Sequence, residues 1–266
     1  MMSEERKKPI FYQPSHEKSR IGRVIAVMSG KGGVGKSLVT GLSALAVARS
    51  GKKVGILDAD ITGPSIPASF GVKPPLPMVD GTAYAARSAA GIQIVSTNLI
   101  LPNETDPIIW KGPMIAQGVK QFWSDIVWED VDVLFVDMPP GTGDVPLTVF
   151  QTLPVDGILI VTSPQELVSM IVEKAINMAR MMGVKVLGMI ENMSYFRAPD
   201  TGTEYKIFGE SHVDEVAAEK KIPVLAKLPL DPAVAETIDA GRIEELDTRA
   251  LEQVVNVIAA LPQRKE

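Results

Sequence analysis

The stretch Val24-Ile25-Ala26-Val27-Met28-Ser29-Gly30-Lys31-Gly32-Gly33-Val34-Gly35-Lys36-Ser37 joins an apolar run, a glycine-rich turn and a lysine-serine pair without a break. Five consecutive apolar residues, three of them β-branched, read as a strand buried on both faces. Ser29 to Gly35 is too rich in glycine to continue it, and from Lys36 to Ser50 the pattern turns helical, with Gly51 placed as a C-terminal cap. A strand, a glycine loop and a helix that opens on Lys-Ser form a phosphate-binding loop. Glycines at 30, 32, 33 and 35 allow positive φ and close backbone approach, so that loop N–H groups and the helix N-terminus surround phosphate oxygens. Lys36 then reaches the β- and γ-phosphates and the Ser37 hydroxyl ligates magnesium. The expected nucleotide contacts run from Gly30 through Lys31, Val34 and Ser37 to Leu38. Lys31 is the departure from an ordinary loop of this kind, because it brings a second cation beside the phosphates.

Outward from this loop the same alternation repeats. Short apolar runs at Val54 to Leu57, Ile92 to Ser96, Val133 to Val136, Ile158 to Val161, Val186 to Ile190 and Val224 to Ala226 are expected strands. Helical periods are expected at Pro113 to Val127, Gln165 to Met182, Val213 to Lys220, Pro232 to Ala240 and Thr248 to Leu261. Strands apolar on both faces and separated by helices predict an α/β fold: a doubly wound, mostly parallel sheet with helices on both faces. Residues 1–20 mix Pro9, Pro14 and charges without a hydrophobic period and are expected to be a flexible tail, leaving 21–266 as a single domain.

Two strands end in acids at the edge where an open α/β sheet places its ligand. Val54 to Leu57 runs into Asp58-Ala59-Asp60, and Val133 to Val136 into Asp137. Asp137 reads as the carboxylate presented to magnesium through water, Asp58 as an outer-shell ligand or a capping residue, and Asp60 as the group that orients an attacking water. Pro140, Gly141, Thr142 and Gly143 follow Asp137 and form a loop that a γ-phosphate could order and release.

Composition removes several classes of function. The chain has no cysteine, which excludes disulfides, thiolate nucleophiles and cysteine-ligated metals. Its formal charge of -5, with both signs interspersed, offers no footprint for nucleic acid. No apolar run is long enough for a bilayer and the N-terminus has no signal-like core, so a cytoplasmic protein is expected. Leu251, Val254, Val255, Ile258 and Leu261 form a helical stripe, but Glu252, Gln253 and Asn256 opposite it favour docking on the domain over a membrane. Phe122, Trp123 and Trp128, and Met178, Met181 and Met182, read first as core. His16 and His212 stand apart and do not suggest a metal site.

Three phrases carry a resemblance: Ser29 to Ser37; Leu57-Asp58-Ala59-Asp60-Ile61-Thr62-Gly63-Pro64-Ser65; and Asp137-Met138-Pro139-Pro140-Gly141-Thr142-Gly143-Asp144. They resemble the MinD/ParA-like ATPases with a deviant Walker A loop. Trp110-Lys111-Gly112-Pro113-Met114, Glu191-Asn192-Met193-Ser194-Tyr195-Phe196 and Ile207-Phe208-Gly209 are most similar to the Mrp/ApbC branch, over about residues 22–262. The resemblance implies a homodimer closed around ATP and magnesium, in which Lys31 of each subunit stabilises the transition state at the other's γ-phosphate. It also implies that Asn192 hydrogen-bonds adenine and Pro229 packs on the base. Cluster-bearing members carry a Cys-x-x-Cys pair where this chain has Ala198 and Thr201, so no iron-sulfur cluster is expected from its own residues. Arg197 and Asp200 in that segment are candidates for a polar contact across the dimer. The function implied is a slowly hydrolysing ATPase switch that assists iron-sulfur cluster assembly or transfer, with an iron-sulfur protein or assembly factor as partner. A ParA/MinD-like positioning ATPase and a small-molecule phosphotransferase are the alternatives.

Overall fold

The computed structural model describes residues 9–61, 63–100, 112–164 and 168–262. Thr62, Trp110, Lys111 and the expected helix start at 165–167 lie outside them. The first half of the chain runs β1 (Arg20–Ser29), α1 (Lys36–Arg49), β2 (Val54–Asp58), α2 (Ile66–Ser69), β3 (Met78–Val79), β4 (Thr82–Tyr84), β5 (Ala86–Arg87), β6 (Gln93–Val95), α3 (Gly112–Ser124), β7 (Ile126–Val127) and β8 (Asp130–Asp137). The second runs α4 (Asp144–Thr152), β9 (Gly157–Thr162), α5 (Val168–Met182), β10 (Val186–Glu191), β11 (Phe196–Arg197), β12 (Glu204–Tyr205), α6 (Val213–Lys220), β13 (Val224–Lys227), α7 (Pro232–Asp239) and α8 (Glu252–Ala259).

Eight strands form the main sheet in the order β13-β10-β9-β1-β8-β2-β6-β5, parallel except for the β5 edge. Val24 to Met28 are fully buried, as a strand covered on both faces requires. The chain winds outward from β1 to β2 and β6, returns to insert β8, and then winds the other way through β9, β10 and β13. The helices pack along the sheet with α1 against α8, α3 against α4, and α5 against α6. The reversal falls beside β1, so the loop after β1 opens at the topological switch point.

Several expected boundaries move. Val127 leaves the expected helix and pairs with Tyr84, because the helix ends at Ser124 and the exposed turn at Asp125 lets the chain extend. The expected helix at 248–261 is a 3-10 turn, Arg249–Leu251, followed by α8. Its stripe docks as expected: Leu251, Val254, Ile258 and Leu261 are buried. Phe122, Trp123, Trp128 and Met178 are core, whereas Met181 is exposed. Residues 9–19, expected to belong to a flexible tail, are tied to the domain. Phe11 and Gln13 donate from their backbones to the Gln151 and Thr152 carbonyls at the end of α4, and the Trp123 indole donates to the Gln13 carbonyl at 2.8 Å.

Candidate nucleotide site

The loop between β1 and α1 is shaped by two glycines. Gly33 and Gly35 have φ of 82° and 78°, a region costly for a side chain, while Gly30 and Gly32 do not use the positive φ expected of them. Gly35 caps α1 without any side-chain acceptor, so the first N–H groups of the helix face the loop unclaimed by a capping side chain. Unclaimed N–H groups at a helix start are the backbone donors an anion can use. Lys36, 6% exposed, folds toward the sheet edge, with its ammonium 2.8 Å from Asp137 Oδ1 and 3.8 Å from Asp60 Oδ2. The Ser37 hydroxyl donates to Asp137 Oδ2 at 2.5 Å.

Adjacent strands create the acidic side of the site. β2 and β8 pair in register with Asp58 opposite Asp137, so two fully buried carboxylates end neighbouring strands. Asp58 accepts from Ser96 Oγ at 3.1 Å and from the Asp60 N–H at 3.2 Å. Burial, and then the charge of Asp137, push its carboxyl up to about 8 against the pull of Lys36, so it holds its proton near neutral pH. Sequence reading missed Thr40, whose hydroxyl, one helical turn after Lys36, lies 2.7 Å from Asp137 Oδ1 and 2.9 Å from the Lys36 carbonyl. Its i+4 spacing from Lys36 was the available signal.

The donors fit a hard cation: hydroxyl and carboxylate oxygens with no nitrogen or sulfur ligand among them. Among the described residues no group of three or more His, Cys, Asp or Glu forms a metal cage by itself. Magnesium here would take its other ligands from phosphate and water, as it does in nucleotide sites. The loop at 140–143 lies against the same place: the Gly141 N–H donates to the Ser29 carbonyl at 2.9 Å, and Gly143 leads directly into α4.

Asn192 follows β10, 2% exposed, and its amide nitrogen donates to the Val34 carbonyl at 3.0 Å. Pro229 is exposed between Leu228 and Leu230, whose N–H groups bond the Glu191 and Tyr195 carbonyls, which brings it to the same sheet edge. Ala198 and Thr201 lie in the turn of the β11–β12 hairpin, where the Ala198 N–H donates to the Thr203 carbonyl. Arg197 and Asp200, expected to make a polar contact across a dimer, both sit in this exposed hairpin. Arg197 pairs with Glu204 at 2.6 Å within the hairpin and lies over the Tyr195 ring, while Asp200 Oδ1 accepts from the Thr201 N–H. Cross-strand partners are held in place by the hairpin itself, which accounts for the Arg197–Glu204 pair within the chain.

Residues 20–261 match the family model described as ParA, the NUBPL iron-transfer P-loop NTPase. The chain belongs to that family. Iron-sulfur cluster carrier proteins of Clostridium perfringens and Methanocaldococcus jannaschii are 42% and 40% identical to this NUBPL-type chain over 85% and 93% of it, and over 82% and 87% of their own lengths. A nucleotide-binding protein of Archaeoglobus fulgidus, solved in complex with ADP, is 43% identical over 85% of this chain and 89% of that one, with a TM-score of 0.77. MinD of Aquifex aeolicus, in its complex with MinC, shares the fold at 19% identity over 91% of this chain and 98% of that one, with a TM-score of 0.62. The P-loop NTPase family, the doubly wound sheet and the MinD/ParA likeness of the sequence are therefore found as expected. Its cysteine-free hairpin stands in a family named for iron transfer.

Proposed function

We propose that this NUBPL-type chain is a magnesium-dependent ATPase that closes as a homodimer around nucleotide and acts as a slow switch in iron-sulfur protein assembly. The observation that carries the reading is the grouping of Lys36, Ser37 and Asp137 at the uncapped start of α1. A γ-phosphate offers Lys36 a richer anion than Asp137 does, and its arrival frees Ser37 and Asp137 for magnesium and its waters. Held by Ser37 and, through water, by Asp137, magnesium would supply positive charge to the β- and γ-phosphates. Asp60, at the edge of the site, orients the attacking water. Lys31 acts in trans on the charge that develops at the γ-phosphate, and Asn192 and Pro229 hold the base. With no cysteine of its own, the chain would serve cluster transfer in the cytoplasm by docking on a partner that supplies the thiolates.

Calorimetry with ATP and magnesium, followed by phosphate release from the wild type and from Lys31→Ala, tests this. The expected result is binding in both and hydrolysis at least tenfold slower in the variant, because one charge-stabilising contact is worth about that much or more. Equal hydrolysis in the two proteins would remove the trans-lysine step.

A further inference from the structure

The corner after β10 meets the phosphate loop through Asn192 and Met193. The Asn192 side chain, 2% exposed, donates to the Val34 carbonyl inside the loop, while its own N–H is held by the Thr162 carbonyl at 2.8 Å. Next to it Met193 has a φ of 57°, a left-handed conformation that residues with a side chain adopt only when their surroundings impose it. A Cβ placed on Gly35 would stand 2.2 Å from the Asn192 amide nitrogen and 3.8 Å from the Met193 methyl, so the corner fills the space behind the loop. The corner is itself anchored. The Ser194 N–H donates to the Leu228 carbonyl, and the hydroxyls of Ser194 and Ser211 both donate to the buried Glu191 carboxylate, each at 2.5 Å.

Within the nucleotide reading above, on which this rests, we infer that Asn192 is a positioning residue for the phosphate grip and not a reader of the base alone. A flexible glycine loop binds anions well only when its N–H groups already converge. The hydrogen bond to Val34 turns that carbonyl away from the bound anion and keeps the N–H groups of Gly33 to Lys36 aimed inward. The left-handed turn at Met193 sets the height at which Asn192 meets the loop. A ligand with phosphates and no base therefore depends on Asn192 as much as ATP does.

The test compares tripolyphosphate with ATP, both with magnesium, by calorimetry on the wild type and Asn192→Ala, together with hydrogen exchange of the loop amides in the unliganded proteins. The expected result is a loss of about tenfold in affinity for both ligands, the size of one buried hydrogen bond, with faster exchange across Gly33 to Lys36. If only ATP binding weakens and the loop amides exchange as before, Asn192 reads the base and the inference is wrong. Wild-type protein that binds ATP but not tripolyphosphate also overturns it, since affinity would then reside outside the loop. Protein that binds neither ligand overturns the nucleotide reading instead. If the alanine variant does not fold, Asn192→Leu, of nearly the same shape but with neither donor nor charge, is compared in the same way.

Discussion

Lys36 lies 2.8 Å from Asp137 and 3.8 Å from Asp60 at only 6% exposure, and removing it takes the cation from between buried carboxylates. Lys36→Met is expected to lose about 3 kcal/mol of stability in urea unfolding at pH 8 as well as nucleotide binding, because an uncompensated buried charge costs that much. The opposite outcome is expected of Asp58→Asn. The Asp58 carboxyl is raised to about 8 in the folded protein from 3.8, so between these values the native state holds a proton that the unfolded chain has released. Wild-type stability from this group is therefore present at acid pH and declines as pH climbs toward 8, by on the order of 1.4 kcal/mol per unit at the steepest. The asparagine variant has no proton to lose. Without nucleotide or metal, its advantage over the wild type should grow from pH 5 to pH 8, and a constant difference would show that Asp58 is ionised throughout. At this scale the loop and its acids were legible, since Gly-Lys-Ser and strand-ending aspartates are local patterns. Thr40 and Ser96 were not, because each acquires its partner only when β2, β6 and β8 lie side by side.

The tight seams of the sheet are elements meeting without room to spare. A Cβ on Gly188 in β10 would stand 2.4 Å from Leu225 Cγ of β13, where Leu225 is itself buried, and β10 also shifts register against β9 between Val186 and Gly188. Gly188→Ala is expected to destabilise by about 2 kcal/mol, and thermal unfolding should show a midpoint several degrees lower. An unchanged midpoint would mean that β13, an edge strand, moves aside freely. The parallel strands of the main sheet were readable from sequence since burial on both faces imposes unbroken apolar runs, but the antiparallel edge strand β5, Ala86–Arg87 with Arg87 exposed, was not. The small three-stranded sheet was not: Met78 and Val79 are exposed and β3 has two residues, too few for a period. The available signal was Asp80-Gly81, with φ of 49° and 78°, the positive pair that a two-residue hairpin turn demands. Helix α4 was hidden for a related reason, because its nine residues follow directly on the glycine loop at 140–143 and are too few for a clear period.

For the molecule as a whole, the open question is chemical capacity at the β11–β12 hairpin. Ala198 and Thr201 share one turn there, and neither residue is a ligand for iron in clusters. Anaerobic reconstitution with iron and sulfide should leave the wild type without a stoichiometric cluster, whereas Ala198→Cys combined with Thr201→Cys should gain iron, sulfide and visible absorption as it dimerises. Cluster binding by the wild type at one per dimer would refute the view that it depends on a partner's thiolates. Among the described residues no helix is long and apolar enough to cross a membrane, and the C-terminal stripe is buried on the domain, with Arg23 donating to the Leu261 carbonyl at 2.5 Å.

Local chemistry was enough to read the glycine-rich loop, the parallel α/β character and the absence of cysteine, since each follows from residue type and near spacing. Tertiary structure alone decided which glycines take positive φ, that Asp58 and Asp137 face each other across paired strands, that Arg197 belongs to Glu204, and that Asn192 reaches the loop. Those contacts join residues from separate elements. Their geometry, and with it the proton held by Asp58, exists only once the sheet has closed around them.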